Sequence, residues 1–551
     1  MLGGRKLLAV ASSFVVLCAF SAWLFSDAPA EENDYRIVPG ERIGRFQLGR
    51  PLDAYGLGPP SWHFTGTTRH GLPAWDSYFF VTHALRIDIC RNDSLSFAIY
   101  VYRRLDRPTT EMEASKYHTR EGVAVGVDQA EMLKLLGPPE GSAEWVERHS
   151  AIEIPVTEYR FSEGALVIRV NGADNKVLAV GVQTQGGRSA CEGAALVGAA
   201  LRDTAQRALP SVARPVALTA CEVAELRRRL LNDSGARRLY GPSFRLAEEA
   251  LEEPPSPLPR VQLQDLLPTD PRAQLSTRFY RDVRRIEALG YAYGATGDLR
   301  FANRAAVYLE AWANLNQPSG RPIDETEISR AVRGLSLVAD AIPPSTRTQV
   351  ERWLSRMASL EIERRPEWEL RRPNNHHSHR LKIVGLIGYA LGNSQFIRYA
   401  EEGYRAQIAQ NLQADGSSVD FHDRDALHYH VYTLEPLVEL AMAADKQGRD
   451  LYSYQAPNGA SLERSIAFLL PYVRGEKVHI EFVRSRVRFD HERAAAGVPG
   501  FSGPWDPLRG ARLLEMAGYF NPAFGNEPIR GRVRQTFQTV LNGLRAPCAG
   551  R

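Results

Sequence analysis

The chain has 551 residues, which is too long for one hydrophobic core, so we expect two or three domains. Its apolar and charged fractions are typical of a globular protein. The formal net charge of +4 is close to balance for this length, so composition offers no argument for nucleic-acid binding, and we predict no nucleic-acid partner.

The first thirty residues have the pattern of an export signal. Arg5 and Lys6 precede an uncharged apolar run from Leu7 to Phe25, and an Ala-x-Ala pattern ends at Ala30. A run of nineteen residues is long for a cleaved signal and just long enough to span a bilayer. Cleavage after Ala30 and an uncleaved membrane anchor through residues 7–25 therefore both stay open. We expect a periplasmic or secreted protein in the first case and one anchored to the inner membrane in the second.

Four cysteines follow this segment, and an oxidising compartment would allow three disulfide pairings among them or leave some as buried free thiols. They are Cys90, Cys191, Cys221 and Cys548. None forms a Cys-x-x-Cys pair, which argues against a thiolate zinc site.

Residues 35–185 predict an α+β accessory domain. Period-two alternation with β-branched and aromatic residues indicates strands, at Ser77–Thr82, Leu95–Tyr102, Thr157–Phe161 and Ala165–Val170. An internal repeat leads from Gly44 to Leu57-Gly58-Pro59-Pro60, and from Gly122 to Leu136-Gly137-Pro138-Pro139, each copy reading as strand, short helix and stop. This arrangement resembles small α+β envelope modules. We predict no catalytic role for the domain, and its protein partner is unknown.

Beyond a linker at Gln183–Arg188 the periodicity becomes helical, and we assign residues 192–545 to a second domain. Amphipathic helices of similar length with short loops suggest helical hairpins stacked in a ring or solenoid. An early charged helix is predicted at Glu222–Leu231, followed by a proline-rich extended segment at Glu253–Pro259. The later candidates are Phe279–Gly294, Leu299–Leu315, Glu325–Ala341, Ser345–Glu363, Ser378–Leu391, Ser394–Gln413, Asp425–Gln447, Leu462–Tyr472, Gly510–Ala517 and Gly531–Leu544.

Two short stretches concentrate the side chains that can do chemistry. They are Arg371–His379 and Arg424–Tyr432, and six of the thirteen histidines fall between His376 and His430. Histidine, asparagine, tyrosine and arginine together can neutralise a carboxylate and move a proton near neutral pH. Eliminative cleavage beside a uronic acid needs both: the C5 proton becomes acidic only when the neighbouring carboxylate is neutralised. We therefore expect one active site for an acidic polysaccharide.

Four motifs carry a family resemblance. Thr296-Gly297-Asp298 is a turn between helices, Asn374-Asn375-His376 begins one, Asp415-Gly416-Ser417 is a further turn, and Leu427-His-Tyr-His-Val-Tyr-Thr-Leu follows. Over residues 275–475 these motifs resemble the alginate lyase family and its (α/α) toroid relatives among polysaccharide lyases. The resemblance implies a multidomain chain, with an N-terminal α+β domain followed by an all-α (α/α) toroid, an incomplete barrel. It also implies a polysaccharide lyase acting by β-elimination in the cell envelope.

By this resemblance Asn375 and His376 hold or activate the uronate, and Tyr432 is the catalytic tyrosine, with Tyr429 in reserve. The family has an arginine seven residues before that tyrosine, where this chain has Asp425. We predict that Arg424 takes the arginine's role, since it would share a helix face with His428 and Tyr432 at i, i+4 and i+8. The alternative carboxylate partners are Arg371, Arg372 and Arg380.

The remaining predicted site residues bind substrate. They are Asn374, Tyr429, His430, His428, Arg372 and Trp368, the last stacking on a sugar ring within a basic run of Arg364, Arg365, Arg371 and Arg372. We interpret His377, His379 and His422 as structural or solvent-exposed. No motif has metal-ligand spacing, so we predict no metal and no cofactor.

Two rival functions stay open. Asp420, Asp423 and Asp425 cluster and could serve a glycoside hydrolase on the same toroid, which needs one protonated and one ionised carboxyl group. The second rival is a polysaccharide-binding scaffold without turnover, which Asp425 in place of the family arginine would favour.

Overall fold

The computed structural model describes residues 34–103, 113–149, 152–162, 164–184, 186–531 and 533–548. The predicted signal or anchor segment lies outside these residues. The chain divides into two compact units. The first comprises the described residues of Met1–Phe64, Ser77–Ile89 and Leu95–Gln185, and the second those of Thr65–Asp76, Cys90–Ser94 and Gly186–Arg551. Within the described part of the chain, no helix has both the length and the apolar character needed to cross a membrane.

The N-terminal region contains two sheets. A small sheet has the order β3-β2-β1-β8 and a larger one the order β4-β5-β6-β7-β12-β11-β10-β9. The strands are β1 (Arg36–Val38), β2 (Arg42–Ile43), β3 (Phe46–Gln47), β4 (Trp62–Thr67), β5 (Pro73–Phe80), β6 (Leu85–Cys90), β7 (Ser96–Tyr102), β8 (His118–Thr119), β9 (Gly141–His149), β10 (Ile152–Phe161), β11 (Leu166–Asn171) and β12 (Lys176–Gln183).

The larger sheet is built from antiparallel neighbours through its centre. β7 lies between β6 and β12, with Ile99 opposite both Ile87 and Val182. These three side chains are buried, as expected for the apolar positions of an alternating strand pattern. All four predicted strands are present. Helix α1 (Gln129–Leu136) begins at the Asp128 cap in the second copy of the predicted repeat, whereas the first copy forms only a 3₁₀ turn.

The C-terminal region is rich in helices, which confirms the predicted order of a β-sheet region followed by a helix-rich one. Its helices are α2 (Gly187–Asp203), α3 (Ala220–Asn232), α4 (Ser234–Glu252), α5 (Pro271–Thr296), α6 (Leu299–Leu315), α7 (Pro322–Glu325), α8 (Ile328–Val338), α9 (Pro344–Glu363), α10 (Glu367–Arg371), α11 (Asn375–Leu391), α12 (Ser394–Asn411), α13 (Val419–Arg424), α14 (Leu427–Lys446), α15 (Leu462–Ala467), α16 (Leu470–Val473), α17 (Arg488–Ala495), α18 (Ala511–Ala517), α19 (Pro522–Gly525), α20 (Phe537–Asn542) and α21 (Arg545–Cys548).

Helix packing in this region closes a ring. In order, α4, α5, α8, α11, α14, α18 and α20 each contact the next, and α20 contacts α4. Helices α6, α9 and α12 pack against members of the ring and form helical hairpins with them. The large side chains buried at these contacts include Tyr240, Trp312 and Tyr389. The ring surrounds a cavity of about 500 Å³ that all seven of its helices line, and none of the predicted site residues lines it. The two predicted site stretches lie at or just before the N-terminal ends of the adjacent members α11 and α14. We refer to the region formed there by Trp368, His376, His379, His428 and Tyr432 as the cleft.

The predicted turn between the first two long hairpin helices is confirmed. Helix α5 ends at Gly297, which adopts a φ of 68°, a conformation that costs glycine little. The Asp298 carboxylate accepts a hydrogen bond from the Arg300 backbone N–H and so begins α6.

Several predicted boundaries are wrong for local reasons. Helix α11 begins at Asn375 and not at Ser378, because the Asn374 side chain caps it. Helix α2 already begins within the predicted linker, at Gly187. The predicted helix from Leu462 is interrupted and becomes α15 and α16. Helix α4 was not predicted, since its interior proline, Pro242, resembles a helix break.

Two disulfide bonds use all four cysteines outside the N-terminal segment. Cys90 pairs with Cys191, with Cα atoms 5.5 Å apart, and Cys221 pairs with Cys548, with Cα atoms 5.8 Å apart. The second pair joins the first turn of α3 to the last described helix, α21, so it links the helix that precedes the ring to the helix that follows it.

Candidate active site

Asp420 holds the two site stretches together. Its Oδ1 atom accepts hydrogen bonds from the backbone and side-chain nitrogens of Asn375, at 3.0 and 2.7 Å. Its Oδ2 atom accepts from the Thr433 hydroxyl at 2.8 Å and from Asn411 Nδ2 at 2.9 Å. Asn375 begins α11 and Thr433 follows Tyr432 on α14. One buried carboxylate therefore fixes the two helices relative to each other, and leaves the buried Oδ1 of Asn375 without a partner among the described residues.

His376 has a free imidazole ring at the start of α11. Asn374 accepts a hydrogen bond from the His376 backbone N–H at 3.0 Å, so Asn374 is a helix cap. The His376 ring packs edge-on against Trp368, with centroids 5.8 Å apart, and Trp368 is 50% exposed. No ring nitrogen of His376 bonds to another described residue. Burial lowers the pKa of this imidazole below its ordinary value, so the ring is unprotonated at neutral pH.

Tyr432 stands between two histidines. Its ring centroid lies 4.3 Å from that of His379 and 6.2 Å from that of His428, the latter nearly parallel. Its hydroxyl makes no hydrogen bond to any residue that the structure describes. Burial, together with nearby Tyr280 and Tyr429, raises the pKa of the Tyr432 hydroxyl well above 10. Tyr432 is therefore a protonated phenol over the whole physiological range.

His379 belongs to the site although the sequence suggested a structural role. Its Nδ1 atom lies 2.6 Å from the Thr326 hydroxyl, and its buried Nε2 atom has no partner among the described residues. Burial and the nearby Lys382 ammonium hold the pKa of His379 well below 6.5. The feature of the sequence that could have placed His379 in the site is its i, i+3 spacing from His376. His377, by contrast, is structural as expected, with Nδ1 at 3.1 Å from the Glu369 carboxylate.

Arg424 does not share a helix with His428 and Tyr432, so that prediction is wrong. Asp425 has a φ of 48°, which ends α13, and α14 begins two residues later. Arg424 Nε donates to Asp490 at 2.5 Å, a second nitrogen donates to the other oxygen, and the guanidinium lies 3.8 Å from the Tyr429 ring centroid. With a buried counterion and a stacked face, Arg424 is not free to bind a substrate carboxylate.

Asp425, at the position of the family arginine, has its own partner. The backbone N–H of Arg484 donates to its carboxylate at 2.9 Å, and the Arg484 guanidinium lies 3.2 Å away. Burial alone would raise the pKa of Asp425, but these bonds lower it. The Asp425 carboxylate is thus ionised, and the Arg484 guanidinium balances its charge.

Two arginines that sequence reasoning missed lie beside α14. Arg509 Nη1 is 3.4 Å from His428 Nδ1, and Arg493 Nη1 donates to the Tyr429 hydroxyl at 2.7 Å. Burial, Arg509, Arg493 and Arg424 together lower the pKa of His428 to about 3. Arg509 forms no ion pair with a described residue and is only half-buried. Both lie more than sixty residues beyond His428 in a segment without a motif, so no local signal marked them.

Four other residues that the sequence offered for the site have structural partners. His430 is fully buried, with Nδ1 at 2.9 Å from the Ser418 hydroxyl and Nε2 at 2.9 Å from the Ser465 carbonyl, and its pKa falls to about 4 through burial. Arg372 pairs with Asp423 at 2.6 Å on the surface. Of the alternative carboxylate partners, Arg380 is buried between Glu361 and Glu369, and Arg371 pairs with Glu367. His430 therefore does not line the cleft, and the arginines already hold counterions.

The carboxylates of the hydrolase alternative are not arranged as a pair. Asp420 accepts hydrogen bonds from buried donors, whereas Asp423 pairs with Arg372 on the surface and Asp425 pairs with Arg484. Among the described residues, each has separate partners, so they do not combine into one acid and one base at a common site.

The first turn of α14 is capped from a distance. Ala426, at the N-cap, has no side chain to offer, and the Glu481 carboxylate instead accepts the backbone N–H groups of Leu427 and His428, at 2.7 and 3.1 Å. Burial raises the pKa of Glu481 to about 7 although both hydrogen bonds oppose the shift. Glu481 thus anchors the end of the helix that presents His428 and Tyr432.

Comparisons with known proteins find one family. Residues 246–479 match the family model described as alginate lyase. A curated polysaccharide lyase from Stenotrophomonas maltophilia (strain K279a) is 28% identical over 266 residues, which are 46% of this chain and 74% of that protein. Among solved structures, an alginate lyase from Bacteroides ovatus is similar at 16% identity and a TM-score of 0.45, covering 61% of this chain and 100% of that one.

Alginate lyase A1-III from Sphingomonas species A1 is similar at 22% identity and a TM-score of 0.37, covering 52% of this chain and 92% of that one. The family match includes both site stretches and confirms the resemblance that their motifs predicted. Glu481, Arg493 and Arg509 all lie beyond the matched residues.

Proposed function

We propose that the protein cleaves a uronate-containing acidic polysaccharide by β-elimination, on the premise that residues 246–479 match the alginate lyase family model. One observation carries the proposal. His379 has an unprotonated imidazole, His376, one turn before it on α11, and a protonated phenol, Tyr432, with its ring centroid 4.3 Å away. Neither His376 nor Tyr432 is hydrogen-bonded through its ring to another described residue. An elimination needs these two forms, a proton acceptor and a proton donor.

The two side chains have complementary roles in this proposal. His376 accepts the proton from C5 of the uronate as the C4–O bond breaks and a C4–C5 double bond forms. Tyr432 donates its proton to the departing glycosidic oxygen. A tyrosine acting as the base would need nearby positive charge to lower its pKa, whereas the neighbours of Tyr432 raise it. Solvent exchange then returns a proton to Tyr432 and removes one from His376.

The uronate carboxylate has to be neutralised for its C5 proton to become acidic. Arg509 is the half-buried cation beside His428 that has no counterion among the described residues. We assign it the role that the family arginine would have at position 425. The unpartnered Oδ1 atom of Asn375, held in place by Asp420, offers an acceptor for a substrate hydroxyl. Trp368, half-exposed against His376, supplies a surface for a sugar ring.

The test is the appearance of the double bond. Purified full-length protein is mixed with polymannuronate, polyguluronate, glucuronan and glycosaminoglycans, and the ultraviolet absorbance of the unsaturated uronate is followed. We expect a rise on one polymer that Tyr432→Phe and His376→Ala each reduce by about 10²–10⁴-fold, the usual contribution of a general acid or base. The matched control is His422→Ala, which removes an exposed histidine bonded to Ser417.

The other outcomes separate the rival functions. New reducing ends without absorbance would indicate a hydrolase, and binding of a polymer that no variant and no wild-type protein cleaves would indicate a scaffold. Either result would overturn the proposed elimination.

We also propose that the protein is exported. Arg5, Lys6 and the apolar run at residues 7–25 support this, as do two disulfide bonds, which form and persist in oxidising compartments. Fractionation of cells and N-terminal sequencing of the mature chain test it. Recovery of the reduced protein from the cytoplasm would contradict it.

A further inference from the structure

A second cavity lies on the same unit as the cleft and is strongly basic. It has a volume of about 670 Å³ and lies between the 316–321 loop, helix α9 and an extended segment before α5. Four arginines line it, namely Arg260, Arg352, Arg356 and Arg364. No carboxylate is among the described residues that line it. The charged side chains among these lining residues are therefore all positive.

The arginines are weakly neutralised. The side chains of Arg260 and Arg352 make no hydrogen bond or ion pair with a described residue. Arg356 lies 3.6 Å from Glu363, and both side chains are more than half exposed, so that pair contributes little. Arg364 donates only to the Ser319 carbonyl, at 2.8 Å. Like charges four residues apart on a helix, as at Arg352 and Arg356, repel each other until an anion is bound.

The floor of the cavity is rigid and partly apolar. Trp353 is buried there, and its Nε1 atom donates to Asn316 Oδ1 at 3.2 Å. Asn316 in turn donates to the Leu258 carbonyl at 3.1 Å. Gln349 and Gln317 add amide groups at the rim. Guanidinium groups over a floor of apolar carbon and amides suit a chain of sugar rings that carries one carboxylate per ring.

The cavity is joined to the catalytic cleft by a short piece of chain. Arg364, at its edge, is four residues before Trp368, and Trp368 packs against His376. The same loop that lines the cavity through Ser319 is bound on its other side by Glu325, which accepts from the Gly320 N–H at 3.2 Å. Thr326, next in sequence, contacts His379 of the cleft. The segments from Ser319 to Thr326 and from Arg364 to Trp368 thus each contact both sites.

We propose that this cavity is a distal binding site for the acidic polysaccharide, and that it holds uronate residues several sugars away from the bond that is cleaved. The inference rests on the proposed function and extends it. Arg352 and Arg356, one helical turn apart, bind successive carboxylates, and Arg260 and Arg364 close the two ends. Long polymers reach this site, whereas short oligosaccharides occupy only the cleft.

The test compares substrates of two lengths. In Arg352→Glu/Arg356→Glu, we expect KM for the long polymer to rise about tenfold with kcat changed less than twofold, while kinetics on a tetrasaccharide of the same uronate change less than twofold. The control is Arg398→Glu on α12, which reverses an exposed arginine that has no partner among the described residues. It should match the wild-type protein on both substrates. Arg352→Gln/Arg356→Gln replaces the charge-reversed pair if that variant does not fold.

The outcomes of this test and of the proposed function are distinct. If the wild-type protein cleaves the long polymer, and Arg352→Glu/Arg356→Glu has the same KM for it as the Arg398→Glu control, the distal site is overturned. If no uronate polymer is cleaved, the proposed function fails, and affinity electrophoresis of the Tyr432→Phe protein in gels containing each polymer decides the distal site alone. Retardation that Arg352→Glu/Arg356→Glu abolishes would support the site, and retardation that it leaves intact, or no retardation at all, would overturn it.

Discussion

The phenol ring of Tyr432 lies 4.3 Å from the imidazole ring of His379, which is neutral and contacts the Thr326 hydroxyl through its other edge. The contact packs Tyr432 against an uncharged side chain. A neutral neighbour does nothing to stabilise a phenolate, so the proton stays on Tyr432. The side chains around Tyr432 thus keep its hydroxyl protonated, as the acid of the proposed elimination must be.

This contact leads to a prediction for pH dependence. The pKa of His376 is lowered below 6.5, and kcat/KM requires its unprotonated form, so activity should fall only as pH drops below 6.5. The pKa of Tyr432 is raised well above 10, so activity should stay level up to at least pH 9. A kcat/KM profile between pH 4.5 and 9.5 measures both limbs. An activity loss centred near pH 8 would contradict the assignment of Tyr432 as the acid.

Removing Asp420 should uncouple the two site helices. In Asp420→Ala four buried donors, two on Asn375 and one each on Asn411 and Thr433, lose their acceptor, and we expect a loss of about 3–5 kcal/mol in the free energy of unfolding. The folded fraction should also have a lower kcat, because Asn375 is no longer fixed. Urea unfolding and steady-state kinetics measure the two effects.

The matched control for Asp420 is Asp423→Ala, which removes a surface pair with Arg372. We expect this substitution to lower the free energy of unfolding by less than about 1 kcal/mol. Equal effects of the two substitutions would show that Asp420 is an ordinary surface carboxylate.

Arg509 and Arg424 should respond oppositely to substitution. Arg509→Ala removes a cation without a counterion, so kcat/KM should fall by about 10²–10³-fold with little change in stability, and Arg509→Lys should recover part of it. Arg424→Ala removes the bidentate partner of the buried Asp490 and leaves it only the Ser485 hydroxyl and, at 4.0 Å, Arg493, so stability should fall by about 3 kcal/mol. Thermal unfolding and kinetics of both variants test the contrast. A catalytic defect in Arg424→Lys at unchanged stability would return the carboxylate-binding role to Arg424.

Glu481 should make stability depend on pH. Its pKa rises from 4.5 to about 7 on folding, so the ionised form is disfavoured in the folded state, and stability falls as pH increases from 4.5 to 7 and is then constant. Glu481→Gln, which keeps one acceptor for the helix N-terminus, should remove this dependence. Relative to the variant, the wild-type protein should lose about 3 kcal/mol between pH 4.5 and pH 8. Parallel unfolding curves across that range would contradict the raised pKa.

The motifs predicted the parts of the site that depend on neighbouring residues in sequence. Asn374-Asn375-His376 begins a helix because Asn374 caps it, and Tyr432 lies on the long helix that the apolar pattern around it indicates. The contact of Trp368 with His376 also follows from a short separation along the chain. These features are local, and sequence periodicity and capping rules describe local structure.

The rest of the site depends on contacts between distant segments. More than fifty residues of chain separate Asp490, Glu481, Arg493 and Arg509 from the residues they contact, and none of the four belongs to a motif. The break at Asp425 was also unpredictable, because a non-glycine residue rarely adopts positive φ. The carbonyl of Asp425, bonded to Phe482 N–H at 2.8 Å, shows that a distant loop holds this conformation.

The disulfide between Cys221 and Cys548 makes the helical ring a covalently closed circle. The polypeptide from Cys221 to Cys548 therefore behaves as a cyclic chain as long as the disulfide is oxidised, and neither terminal segment of it can separate from the other. A single protease cut in any loop within it would leave both pieces attached, and only a second cut or a reductant would release one. The nicked protein would therefore migrate as two fragments only in reducing gels.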